Sequence, residues 1–325
     1  MIIGTLQVLR ALAAVSVVYY HGGYAATGTH TDLGGVTMFF VISGFISCHI
    51  AANDPGGGGG KFLVRRIKRI APLYWLSTFA LLLLVGRLWD VPVDHIVLSL
   101  LFVPHDGAFG AFPVLGVGWT LNIEMACYAL FALALRLAPS QAPLLAAGLI
   151  LAARAGVTQF APTGSSAAIH AGALYAEAFV AGIFVWLIWN ANRARLEVWA
   201  APRWLFPAAV FIYVVTMLTW AFVAHDWPDL QFRASVLVLA TALTAIAVVA
   251  ARCGADVQAP WLMTLGGASY ALYLTHTIVQ SLGARHGFVV AGPVSAAIYI
   301  AICIAIALAI HRWVEPPIAR MLAPG

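Results

Sequence analysis

The chain has 325 residues, 62% of them hydrophobic and 9% charged, and a formal net charge of +5. Soluble domains carry about 25% charged residues, so this composition excludes a soluble globular protein, and so mild a basic excess suits cytoplasmic loops rather than nucleic-acid binding. Apolar runs of span length recur from end to end, which predicts an all-α, polytopic membrane bundle in one domain, residues 1–325, with no soluble domain.

The first run, Leu6 to Tyr24, is long enough to enter a bilayer yet holds Arg10 and His21. Eleven residues of helix rise roughly 16 Å and bring these two side chains within about 20° of one face. Ionisable groups inside a span are costly and by default mark a functional site. The plainer alternative is an arginine snorkelling to the headgroups and a histidine hydrogen-bonded in the bundle. With these residues interrupting it and a second span close behind, the run is not expected to be a cleavable signal.

A second span, GGVTMFFVISGFISCHIAA, is followed by five glycines, expected to form a flexible link. Lys61, Arg65, Arg66, Lys68 and Arg69 come next and set this loop on the cytoplasmic side. Lipid contact alone would explain the cluster; a phosphate-binding surface is the sharper reading, because arginine forks fit phosphate groups. A third span is predicted from about Pro72 to Gly86. The stretch IVLSLLFV is too short to cross, and PHDGAFGAFPVLGVG after it is rich in Gly and Pro, so a re-entrant or interfacial segment is expected here.

Seven more spans are predicted near 118–137, 142–157, 170–190, 204–224, 234–251, 262–282 and 291–311, giving about ten with both termini cytoplasmic. Arg136, Arg193, Arg195, Arg203, Arg252, Arg312 and Arg320 then lie inside, and only Arg87, Arg154, Arg233 and Arg285 outside. Within GVGWTLNIEMACYALF, Glu124 needs a partner: an Arg or backbone donors in a structural role, or His21 in a functional one. Tyr270, Tyr273 and His276 recur at three-residue steps, a pattern that packing also produces. Glu315, before a double proline, reads as a structural ion-pair residue. The four cysteines read as small core residues. No metal-spaced His/Cys set, Walker loop or G-x-S-x-G elbow occurs, so no metal is expected.

Arg10 and His21 with ten residues between them, then MFFVISGF, FLVRRIKRIAPLYW, GWTLNIE, SYALYLTH and HRWVEPPI in this order, resemble the membrane acyltransferase-3 family over nearly the whole chain. Within it the similarity is greatest to ExoZ-type bacterial exopolysaccharide acetyltransferases. The resemblance implies a ten-helix bundle of the bacterial inner membrane that takes acetyl from cytoplasmic acetyl-CoA to a sugar hydroxyl of a polysaccharide or lipid-linked oligosaccharide. It marks His21 as catalytic, Arg10 as its partner, and Glu124 with the Arg65–Arg69 stretch as sensitive positions. Many relatives have an acid at or beside the position of Thr37, which this chain lacks.

On this reading Arg65, Arg66, Arg69 and Tyr74 hold the CoA donor, and Trp119, Asn122, Tyr270 and His276 the acceptor. A thioester needs only a base for the incoming hydroxyl, and His21 near the far end of a pantetheine-length tunnel would supply it. The rival reading is a transporter or glycan carrier that uses Arg10, His21 and Glu124 as a relay. A structural subunit of an export complex is a third. Membrane lipids are expected partners, and the many small residues would permit a homodimer.

Overall fold

A chain this apolar has no water to satisfy its backbone in a bilayer, and helices satisfy it internally. The computed structural model describes residues 3–322 apart from 28–33, 55, 87–88, 108–109, 224–228, 289 and 291; Arg87 lies outside the described residues. Among those described there are helices and no strands. In chain order they are α1 (Gly4–Thr27), α2 (Gly35–Asn53), α3 (Gly58–Val85), α4 (Val93–Leu100), α5 (Trp119–Leu137), α6 (Ala142–Phe160), α7 (Ser166–Ala171), α8 (Tyr175–Ala191), α9 (Arg193–Val198), α10 (Leu205–Val223), α11 (Asp229–Arg252), α12 (Pro260–Gly267), α13 (Ser269–Arg285), α14 (Pro293–Trp313) and α15 (Glu315–Met321).

Seven stretches among the described residues are long and apolar enough to cross a membrane: Gly35–Asn53, Gly58–Val85, Gly116–Leu137, Pro139–Phe160, Ser166–Ala191, Asp229–Arg252 and Pro293–Met321. That is fewer than the about ten spans expected. α1 is long enough at 24 residues but carries Gln7, Arg10 and His21. The described apolar part of α10, Leu205–Trp220, is short. The span expected over 262–282 is divided between α12 and α13 at Ala268.

The helices group into two compact units, Met1–His49 with Glu177–Tyr270 and Val290–Ile300, and Ile50–Ala176 with Ala271–Val289 and Ala301–Gly325. In the first, α1 lies against α11 and α12. Thr5 Oγ1 donates to the Ala247 carbonyl at 2.8 Å. α2 and α8 run parallel and cross through a reciprocal pair of glycines, with Trp189 of α8 against Phe45 and His49 of α2. A Cβ on Gly44 would run into the Phe179 carbonyl, and one on Gly182 into the Val41 carbonyl. Small residues allow helices in a bilayer to approach this closely, where dispersion rather than a hydrophobic difference from lipid holds them.

In the second unit α3 and α5 are antiparallel. Phe62 stacks on Phe131 at 5.1 Å and meets Tyr128 at 6.1 Å, while Tyr74, three turns further along α3, lies against Gly118. α3 begins inside the glycine run, so Gly58–Gly60 are helical and the basic stretch stands on the first turns of a 28-residue helix. Burial of Phe62, Ile70, Leu73 and Tyr74 on α5 overrides the poor helix propensity of glycine. α5 turns back through Pro139–Gln141 into α6. α4 spans only eight residues, about 12 Å. Its end is pinned to α3, where Tyr74 Oη donates to the Ser99 carbonyl at 3.2 Å and Trp75 Nε1 to that of Leu100 at 2.9 Å. The four cysteines are buried and none is in a disulfide among the described residues.

Candidate active site

Because α1 runs unbroken from Gly4 to Thr27, the helical phase that aligns Arg10 with His21 holds along its length. Both side chains are half-buried. Between them the same face carries Ala14 and Val18, which are wholly buried. The two functional groups therefore stand at opposite ends of a packed strip. Arg10 Nη1 donates to Gln7 Oε1 at 3.3 Å, one turn back. The Tyr20 ring meets the His21 imidazole edge-on at 5.1 Å, and the buried Tyr299 ring lies against Gly22 beside it.

The start of α1 is held from far along the sequence. Asp256 Oδ2 and Oδ1 accept from the backbone N–H groups of Gly4 and Thr5 at 3.1 and 2.8 Å. Two of the four otherwise orphaned N–H groups of the helix are thus satisfied, by a carboxylate that complements the helix dipole. Tyr270, also in this unit, is half-buried.

The remaining sequence-predicted residues belong to the second unit. Arg65 and Arg69 are exposed, and Arg65 pairs with Asp54. Arg66 is different: it is 5% exposed and its guanidinium sits over the Phe62 ring at 5.2 Å and the Tyr128 ring at 4.8 Å. A cation over aromatic faces is most favourable where water is excluded. The hydroxyl of the same Tyr128 donates to Glu124 Oε1 at 2.5 Å, one turn back on α5. One tyrosine therefore links a buried cation and a carboxyl. Phe62 and Tyr128 were not among the expected site residues, although their i, i+4 spacings to Arg66 and Glu124 mark them in the sequence. Tyr74 is wholly buried. His276 is wholly buried too, with Nδ1 at 3.2 Å from the Leu272 carbonyl and its ring 6.0 Å from that of Tyr273.

A further group of residues went unmarked in the sequence. In the irregular segment after α4, His105 Nδ1 lies 2.8 Å from the Val103 carbonyl and His105 Nε2 2.8 Å from His95 Nδ1. For two neutral rings the chain of bonds fixes the tautomers: His105 donates from Nδ1 and accepts at Nε2 from His95 Nδ1–H. Burial holds the His95 ring below its ordinary pKa; His105 acts in the same direction and Asp94 opposes both. Asp106 Oδ1 accepts from the Ser166 N–H at the start of α7 at 2.9 Å, and Ser166 Oγ donates to the Ala111 carbonyl at 3.0 Å. His170 on α7 then stacks on Trp119 at 5.1 Å, with Tyr175 5.5 Å from the same indole. Among the described residues no three His, Cys, Asp or Glu side chains gather as a metal site requires.

Similarity to known proteins bears on what these residues do. The family model of the acyltransferase domain matches residues 3–312. The chain is 28% identical over 304 residues to the exopolysaccharide production protein ExoZ of Rhizobium meliloti (strain 1021), covering 90% of this chain and 92% of that protein. A 153-residue stretch, 44% of each chain, is 32% identical to ORF330 of Acidianus two-tailed virus. No solved structure matches the chain.

Proposed function

The chain belongs to the acyltransferase-3 family and is a membrane-bound O-acyltransferase, and from that premise we propose that it moves acetyl from cytoplasmic acetyl-CoA to a sugar hydroxyl of an exopolysaccharide or of its lipid-linked precursor. The observation that carries this reading is the family match over residues 3–312, which takes in the unbroken α1 with Arg10 and His21. The exopolysaccharide role in the name of the Rhizobium relative supports the acceptor class.

In this proposal His21 takes the proton from the sugar hydroxyl as its oxygen attacks the thioester carbonyl. The C–S bond breaks, and the departing thiolate recovers the proton from the imidazolium. Covalent carriage of acetyl on His21 is the two-step variant of the same chemistry. Arg10 acts with His21. The exposed Arg65 and Arg69 take the CoA phosphates, with Arg66 and Tyr74 behind them in the protein. Glu124 acts where Tyr128 holds it. Trp119, Asn122, Tyr270 and His276 face the acceptor. The proposed setting is the bacterial inner membrane, with about ten spans, α4 not crossing, and both termini cytoplasmic.

The test is reconstituted protein given labelled acetyl-CoA and a lipid-linked oligosaccharide acceptor, with His21→Ala in parallel and elution profiles checked. Acetyl on the sugar for the wild type, lost in a folded His21→Ala protein, is the expected result. Transfer that survives the change would remove His21 from the chemistry. A wild type that neither cleaves acetyl-CoA nor modifies an acceptor proven with another acetyltransferase would refute the reading.

A further inference from the structure

Two polar side chains in the second unit are buried without hydrogen bonds among the described residues, and one of them, His170, has no role so far. Asn122 on α5 is 3% exposed and His170 on α7 is 4% exposed. Among the described residues neither amide atom of Asn122 and neither ring nitrogen of His170 has a partner. The Ala111 carbonyl lies near the imidazole outside bonding geometry and is taken by Ser166 Oγ instead. Both side chains adjoin Trp119. The His170 ring stacks on it at 5.1 Å, and Asn122 follows it by three residues, about 60° round the helix and about 4.5 Å along it. Four buried polar atoms left dry carry a desolvation cost that folding alone does not offset. Groups of this kind are complementary to a polar guest.

We propose that Asn122 and His170, oriented by Trp119, form the subsite that hydrogen-bonds the ring hydroxyls of a neutral sugar acceptor. This rests on the acyl-transfer reading above and adds His170 to it. The chemistry selects the ligand class. A neutral imidazole offers one donor and one acceptor, and an amide offers two donors and an acceptor oxygen. Sugar hydroxyls both donate and accept, so they can satisfy all four atoms at once. An anionic guest would leave the two acceptors facing charge of the same sign, and Asp106, which acts electrostatically on the ring, is itself an acid.

The subsite lies beyond the arginines proposed for the CoA phosphates. Antiparallel pairing of α3 with α5 sets Trp119 level with the Tyr74 region of α3, about 6–12 Å along the helix from Arg69 and Arg65. A site that discriminates by hydroxyl groups also rejects analogues that lack them, because the buried partners are then left dry again.

The experiment uses the reconstituted full chain, acetyl-CoA, and oligosaccharide repeats from a chemically de-O-acetylated bacterial exopolysaccharide. His170→Phe keeps the stack on Trp119 and removes both nitrogens; Asn122→Leu keeps the volume and removes the amide. Each is expected to raise the acceptor KM about tenfold or more with the acetyl-CoA KM unmoved, and to melt no lower than the wild type. His170→Gln, which restores a donor and an acceptor, is expected to recover most of the loss. An unchanged acceptor KM in a variant that melts lower would overturn the proposal, making these groups structural. A wild type that transfers nothing would bring down the acyl-transfer reading itself, a result distinct from the first.

Discussion

Tyr128 meets Arg66 with its ring face, 4.8 Å from centroid to guanidinium, and Glu124 with its hydroxyl at 2.5 Å. Tyr128→Phe would separate these roles, since the ring stays under Arg66 and only the hydroxyl goes. The expected cost is about 1 kcal/mol of stability, the typical net worth of one hydrogen bond. Transfer should fall through kcat with the acetyl-CoA KM held. Tyr128→Leu removes the ring as well and should cost about 1 kcal/mol more. Denaturant titration beside steady-state transfer checks both. A Tyr128→Phe protein with full kcat would show that Glu124 needs no positioning from its own helix. The pairing of Glu124 with Tyr128 could be read from their i, i+4 spacing. The stack of Arg66 on that ring could not, because it depends on which face of α3 meets α5.

At the scale of the element, α1 depends on the two N–H groups that Asp256 accepts from. Asp256→Ala should cost about 1–2 kcal/mol and should loosen the first turn before the rest of the helix. Faster amide hydrogen exchange across Gly4–Leu9, with exchange near His21 little altered, is the expected signature. Asp256→Asn keeps an acceptor oxygen but gives up the charge, and should fall between the two. Equal exchange in all three proteins would mean that the cap contributes nothing. The helical phase of Arg10 and His21 was legible because an unbroken helix has fixed geometry. The cap was not, because 251 residues separate Thr5 from Asp256. For a related reason the glycine run before Lys61 read as a link: propensity is local, whereas the burial that makes it helical is supplied by α5.

For the whole molecule, apolar run lengths alone established an all-helical membrane protein, and the ends of α6, α10 and α14 fall close to those the runs define. The runs did not reveal the break between α12 and α13, whose two short helices together have the length of one span. Orientation can be measured directly, since the four native cysteines are buried and leave a quiet background for labelling. Ser140 and Thr163 are exposed near the two ends of α6. In the proposed topology Thr163→Cys should react with an impermeant maleimide on intact cells, and Ser140→Cys only after permeabilisation. The reverse pattern would invert the molecule, and equal labelling of both would mean that α6 does not cross.

The Asp256 cap also sets an order of events at the ribosome. α1 emerges some 250 residues before the carboxylate that closes its end. At about 5–20 residues per second that interval lasts roughly 10–50 s. Throughout it the helix bearing His21 has an open first turn. Translation that stops short of Asp256 therefore yields a chain in which the first turn of α1 is never capped.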